Sequence, residues 1–430
     1  RKKSAAERPN ISFGRYSDNN KSVEKVARWA DADNLFRDKK YHESIEAFFD
    51  YLRDDSINNV TINRNGSEFN FQLYQGSKIV RGKGNAEHLQ AEVSLAKMPQ
   101  PSVPVMRRLL EHNFSLFYSR YSLDGDRLCM RFDSDIETAN PNKLYYALKE
   151  LATKADKQDD LLVKDFSSLQ TLDTEHVTGI PEAEKETKFA FMQKWISETL
   201  TYCASLDPEK FSGGIAYLLL TLTFRIDYLI RPEGTLQSEL ERIPVIYFAK
   251  DERTSMAKNN DMIDVFKSLQ AKTKDDFFKH LFCAKSSFAI VPPQTQKTIA
   301  DAISGANNNM IWYRDNNYPL IAQQICEYGI SYCQYSYSLP KVMSQLFELL
   351  MHVNYQDYFT SLGFGEQYYD DVKKRFDSDD IIDRIMEIQN AWKKKYPLLD
   401  FKTQNLKFDS KLNFNFTFTN ELQNLNFESK

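Results

Sequence analysis

Apolar positions along this chain change period more than once. Over residues 21–52 they recur at helical spacing: Val23, Val26, Ala27, Ala30 and Leu35, then Tyr41, Ile45, Phe48, Phe49 and Leu52. That pattern predicts two helices in a hairpin. From Asn59 the period falls to two. Val60 and Ile62 lead into Asn65-Gly66, and Phe69, Phe71 and Leu73 follow, so a strand, a turn that accepts positive φ and a returning strand are predicted. Leu89, Ala91, Val93 and Leu95 predict a third strand, closed off by Pro99, Pro101 and Pro104. Ser102 can then cap a helix over 105–113. Strands at 115–123 and 127–132 flank Asp124-Gly125, and a helix over 140–155 presents Leu144, Ala147, Leu148 and Leu151 on one face.

A polar, acidic-rich stretch with Gly179 and Pro181 separates this region from a mostly helical one. Helical patterns cover 189–204, 214–230, 262–269, 275–283, 295–304, 319–336, 340–353 and 381–395. Pro208, Pro232, Pro244, Pro292, Pro293 and Pro340 fall between them, where a missing amide donor does no harm. Residues 245–248, β-branched or aromatic at most positions, read as a lone strand. At the end of the chain Leu406, Phe408, Leu412, Phe414, Phe416 and Phe418 alternate with polar residues, which predicts a strand with an aromatic face. Residues 398–430 carry four Lys and four Asp or Glu, no net charge to oppose association, so this face must dock on its own chain or on a partner. Docking in cis is the expectation, since a free aromatic strand is prone to aggregate.

The chain is therefore α+β: a flexible N-terminus (1–20), an α+β domain of order α-βββ-α-ββ-α (21–160), a linker (161–188), a helical domain (189–397) and a strand-like tail (398–430). At 430 residues it exceeds one hydrophobic core, and 42% hydrophobic residues mark it as globular. A formal charge of −4, from 56 basic and 60 acidic side chains, argues against nucleic acid as a partner. Five dispersed cysteines make no disulfide framework, and no signal peptide is visible, so a cytoplasmic setting is expected. The apolar run 215–230 contains Arg225 and Asp227 and is short for a bilayer; it reads as a buried helix, without membrane insertion.

The order of elements from Tyr41 onward resembles the fold shared by class I type III secretion chaperones and YbjN-type proteins. That resemblance rests on element order over about a quarter of the chain and carries over no functional residue. It implies sheets and helices that mediate dimerisation or hold extended segments of a partner. Residues 30–48 also resemble one tetratricopeptide unit. With no second copy at that period, two ordinary amphipathic helices are the plainer reading.

Chemistry is harder to find. Six histidines stand singly, and His280 with Cys283 is a two-ligand pair without further ligands, so neither metal nor cofactor is expected. Gly82-Lys83-Gly84 lacks the spacing of a phosphate loop and reads as a flexible connection between strands. Asp370-Asp371 and Asp379-Asp380 fit solvated helix ends. Tyr328, Tyr332 and Tyr335 share a helix face and, with Phe414, Phe416 and Phe418, are the candidate partner-binding residues. Three functions follow: a non-enzymatic protein-binding protein of chaperone-like or scaffold type; an enzyme with a site around Arg225, Asp227, Tyr228, Trp312, Tyr313 and Arg314; or a structural subunit whose tail reaches into a neighbour. A protein partner, including a second copy of the chain, is the partner class the first reading calls for.

Overall fold

The computed structural model describes residues 8–174 and 176–428. The expectations for residues 1–7 and 429–430 lie outside the described residues. The chain is α+β, and it folds into two units: residues 20–179 with 282–290, and the remainder.

The first unit is built on an antiparallel sheet. Helices α1 (Val23–Arg37) and α2 (Tyr41–Leu52) precede strands β1 (Val60–Asn65), β2 (Glu68–Gln75), β3 (Lys78–Gly84) and β4 (His88–Lys97). Helix α3 (Val103–Asn113), strands β5 (Arg120–Asp124) and β6 (Arg127–Asp135), helix α4 (Pro141–Asp165) and short strands β7 (Gln170–Thr171) and β8 (Thr178–Gly179) follow. The strand order is β1-β2-β3-β4-β6-β5, with β7 added to β4. One face is apolar: Phe69, Phe71 and Leu73 of β2, Leu89, Ala91 and Val93 of β4, and Met130 and Phe132 of β6 share one core. Ile45, Phe48 and Phe49 of α2 and Leu144, Leu148, Leu151 and Ala155 of α4 close over them.

The meander has four strands where three were expected. The segment around Gly82-Lys83-Gly84 is β3, paired with β2 on one side and β4 on the other. Its glycines are packing residues. Phe71 lies across Gly82 and Phe69 across Gly84, so close that a Cβ at either position would overlap the ring. Pairing of Asn65 with Glu68 and of Asp124 with Arg127 moves both turns one residue on, to Gly66-Ser67 and Gly125-Asp126. The predicted linker is mostly structure: α4 runs to Asp165, and β7 joins the sheet. A segment far along the chain completes this unit. Strand β9 (Phe282–Cys283) pairs with β8, Ser287 Oγ donates to Tyr74 O at 2.9 Å, and Phe288 is fully buried in the core.

The second unit is helical: α5 (Glu182–Ala204), α6 (Ser212–Arg225), α7 (Gly234–Phe248), α8 (Ser255–Gln270), α9 (Lys274–Phe278), α10 (Gln296–Asp315), α11 (Pro319–Ser336), α12 (Lys341–Asn354), α13 (Gln356–Ser361), α14 (Ser378–Trp392) and α15 (Lys411–Gln423), with the short hairpin β10 (Tyr369–Asp370) and β11 (Arg375–Phe376). Helix α11 lies centrally, packed on α6, α10 and α15. Residues 245–248 are the last turn of α7, which absorbs Pro244 internally, rather than a strand. The stretch Ser212–Ile230 is long and apolar enough to cross a membrane by length and composition, but most of it is buried.

The strand-like tail is helix α15. Ser410 caps it, accepting from Asn413 N at 3.1 Å. Alternating Phe and Thr favour a strand locally, yet Phe414, Phe418 and Leu422 stand four apart and all three are fully buried. Tertiary packing decides against propensity. A polar row beside them is satisfied as well: Asn415 exchanges hydrogen bonds with Asn354 at 2.7 and 2.9 Å, and Thr419 Oγ1 donates to Asn307 Oδ1 at 3.1 Å. The tail thus docks in cis, as expected, but as a helix. Residues 8–19, expected to be free, also belong to this unit.

Helix and strand make different demands on the two phenylalanines at 416 and 418. In the helix Phe418→Ala empties a closed core site and is expected to cost about 3–5 kcal/mol, while Phe416→Ala, at a half-buried position, costs distinctly less. Urea unfolding of the two variants checks this; equal losses would contradict the helical tail.

Candidate functional site

Arg225 and Asp227 were the seeds of the enzyme reading, and the structure sends them to different neighbours. Arg225 Nε meets Glu327 Oε1 of α11 at 3.1 Å, and its Nη2 donates to Gln324 Oε1. Tyr355 Oη donates to the other Glu327 oxygen at 2.5 Å, and its ring lies 4.3 Å below the guanidinium. Burial works against the Arg225 charge, and the Glu327 carboxylate outweighs it, so the guanidinium is held firmly protonated. Every one of these polar groups has a partner, and Glu327 is fully buried. Within this buried cluster the guanidinium and the carboxylate are directed at one another.

Asp227 pairs instead with Arg15, at 2.8 Å. Tyr228 is buried against Phe347 at 4.6 Å. Trp312 is half exposed, its ring parallel to that of Tyr318 at 6.3 Å, and Arg314 pairs with its neighbour Asp315 at 2.9 Å. Trp312 meets Tyr313 edge-on at 5.0 Å, and Tyr313 lies against Gly214, whereas Arg225 and Asp227 engage separate partners, so the six residues do not gather into one site. Among the described residues no three His, Cys, Asp or Glu side chains converge as a metal site.

Of the predicted partner-binding residues, Phe414 and Phe418 are fully buried and offer no surface; Phe416 is half-buried against the same core. Tyr328, Tyr332 and Tyr335 do share a face of α11, but that face leans on α6: Phe224 lies 5.9, 6.1 and 4.7 Å from the three rings. Tyr217 joins them edge-on to Tyr328 at 4.9 Å. Burial pushes the Tyr328 and Tyr335 hydroxyls above their ordinary range and keeps them neutral. The stripe is chiefly a helix–helix contact.

The surface that sequence periodicity missed lies in the sheet unit. Helix α3 buries Val105 and Leu109, which leaves Val103, Arg107 and Leu110 facing out, and Phe114 continues that stripe at the helix end. Phe114 is 96% exposed and Phe117 90%. The loop holding them is not loose. Glu150 of α4 accepts from the backbone N–H of Phe117, Tyr118 and Ser119 at 2.8, 2.9 and 2.8 Å, and from Ser119 Oγ at 2.8 Å. Partial burial raises the Glu150 pKa, but these donors overcome it and hold the carboxyl below its usual range. Asn113 Oδ1 accepts from Tyr121 N at 2.8 Å and so caps the outer edge of β5. The available signal in the sequence was apolar residues on both sides of a short helix, followed by two phenylalanines in a turn.

No protein-family model matches the chain, and no curated protein is significantly similar to it.

Two measurements test the assignment of the buried polar groups to structure. Arg225→Met leaves Glu327 buried and unpaired, and Glu327→Gln does the reverse; each single change is expected to cost about 3–5 kcal/mol, and the double variant less than either. Additive losses in denaturant unfolding would speak against the pair. His352 is buried, stacked on Phe359 at 4.1 Å, and burial together with the nearby Arg8 charge lowers its pKa to about 3. The unfolded chain protonates this residue near pH 6.5 while the folded state refuses the proton until about pH 3, so stability is lost as pH falls through that window. Between pH 7 and pH 5 this contributes a loss of about 2 kcal/mol. His352→Phe should flatten the pH dependence of urea unfolding by that amount; unchanged slopes would show that His352 is not the titrating group.

Proposed function

We propose that this chain is a non-enzymatic protein-binding protein, of chaperone-like or scaffold type, that takes a protein partner on the outward face of α3 and the turn after it. The observation that carries the reading is the pair of bare phenyl rings, Phe114 at the end of α3 and Phe117 on the backbone that Glu150 anchors with three bonds. Together they expose on the order of 300–400 Å² of apolar surface. With Leu110 and Val103 alongside, that reaches the range at which an exposed patch is usually functional.

The composition of the patch suits a partner that is itself apolar in the middle and charged at its rim. Arg107 and Glu111 lie among the exposed residues of α3, next to Leu110. Aromatic anchors with little rotamer freedom, preset by a fixed loop, lower the entropic cost of association. The resemblance to secretion chaperones rests on an order with three strands in the meander, and the fourth strand weakens it, so it adds at most an analogy to the same class of activity. The polar groups that gather at Arg225, namely Glu327, Gln324 and Tyr355, are buried and bonded to one another, which favours a structural role for them over the enzyme reading.

Phe114→Ser and Phe117→Ser together should leave stability within about 0.5 kcal/mol, because both rings are exposed. Cross-linked affinity capture at native expression is expected to recover a stoichiometric protein with the wild-type chain and to lose it with the double variant. Sedimentation of the purified protein tells whether that partner is a second copy. An identical capture profile for both chains would refute the α3 face as the binding surface.

A further inference from the structure

Residues 8–17 form neither helix nor strand, yet the helical unit holds them closely. The ring of Phe13 enters a slot between Phe359 at 5.0 Å, Phe364 at 5.8 Å and Tyr228 at 6.2 Å. Gly14 donates its N–H to Tyr228 O at 2.9 Å with φ at +71°, and a Cβ there would stand 2.8 Å from the Tyr228 ring. Only glycine passes this point without strain. Arg15 then buries its guanidinium: Nε donates to Asp227 at 2.9 Å, Nη2 to Pro232 O at 2.9 Å, and Nη1 lies 3.4 Å from Glu233. Ser17 Oγ meets Ser338 Oγ at 2.7 Å and donates to Leu339 O at 2.8 Å.

The receiving surface is just as specific. Helix α6 changes over Ile226–Ile230 to a π-helix, and Arg231 follows in the left-handed region at φ 55°. Such insertions recur at functional sites. Here the wider turn presents the Asp227 carboxylate and the Tyr228 carbonyl to the strap. The strap adds no secondary structure and fills, in sequence, an aromatic slot, a close approach with one backbone acceptor, and a pair of carboxylates. Those are the elements of peptide recognition: an apolar anchor for orientation, a main-chain bond for register and a charge pair for specificity.

We propose that this groove is a peptide-docking site, filled in this chain by its own Phe13-Gly14-Arg15, and that it takes in their place a partner segment with the order aromatic, glycine, arginine. The strap is then a tethered competitor, whose effective concentration sets how tightly a free segment must bind to displace it. The site is separate from the α3 face, so neither stands or falls with the other.

The test uses the full chain with Phe13→Ser and Arg15→Ser, which empties the slot and the carboxylate pair. The probe is a fluorescein-labelled synthetic peptide copying residues 8–18, read by anisotropy. The variant is expected to bind the probe at least tenfold more tightly than the wild type, whose groove is occupied. Probes carrying Gly14→Ala or Arg15→Ala should lose at least tenfold. Equal binding by both chains, or by all three probes, overturns the proposal. If the variant fails to fold, hydrogen exchange in the wild type decides instead. A Gly14 amide that exchanges at least tenfold faster than that of Leu219, deep in α6, supports a detachable strap; equal rates make the strap an inseparable part of the core and overturn the site.

Discussion

A guanidinium buried in the most apolar helix of the chain can be tolerated in one arrangement only. Taking Arg225 out of water costs several kcal/mol, and that cost is offset only where Glu327, Gln324 and Tyr355 meet it together. Apolar side chains allow neighbouring helices to slide at modest expense; a buried ion pair does not. Arg225 therefore fixes the register of α6 against α11, and through Tyr355 it also fixes where α12 gives way to α13. Since α10 and α15 pack on α11, most of the helical unit inherits that register. The apolar area supplies the magnitude of stability, and one polar triad selects which packing receives it.

The same helix settles where the neighbouring acid goes. Residues two apart on a helix point to nearly opposite sides, so an inward Arg225 turns Asp227 away from Glu327. The π-helix that begins at Ile226 extends this divergence and brings Asp227 and the Tyr228 carbonyl to the strap. Two charges that look like one site in the sequence are thus the ends of two unrelated networks. Proximity in sequence was the wrong measure, and helical phase was the right one.

The α+β class, the sheet's apolar face and the bounds of α11 were legible in the sequence because each rests on a local period. Failures came where distant contacts overrule the local pattern. Phe414, Phe416 and Phe418 alternate like a strand, but helix packing uses Phe414 and Phe418 and leaves Phe416 half aside. Gly82 and Gly84 read as a flexible connection because nothing local shows that Phe71 and Phe69 will cover them from the next strand. Residues 282–290 carry no mark of belonging to a sheet more than a hundred residues upstream, although Ser287 and Phe288 seal it. The tyrosine stripe of α11 was found by its spacing, which says that residues share a face and not what that face meets.

Phe114 and Phe117 escaped notice for the opposite reason: Phe114 lies on the outward stripe of α3, away from its core face, and Phe117 follows no period. A chain that merely tolerated them would let the loop fold them against the sheet, where burying each ring would gain about 1.5–3 kcal/mol. Glu150 prevents that. Its carboxylate satisfies three successive N–H groups and so fixes the backbone from Phe117 to Ser119, these donors holding the carboxyl below its usual range, while Phe114 is set by the end of α3, where its N–H bonds back to Glu111 O. A local arrangement that keeps apolar surface out of the core, using a charge that would otherwise be solvated, does not follow from the demands of folding. That is the physical reason the proposed contact is placed at this turn rather than at the aromatic tail or the tyrosine stripe, whose rings are spent on packing inside the chain.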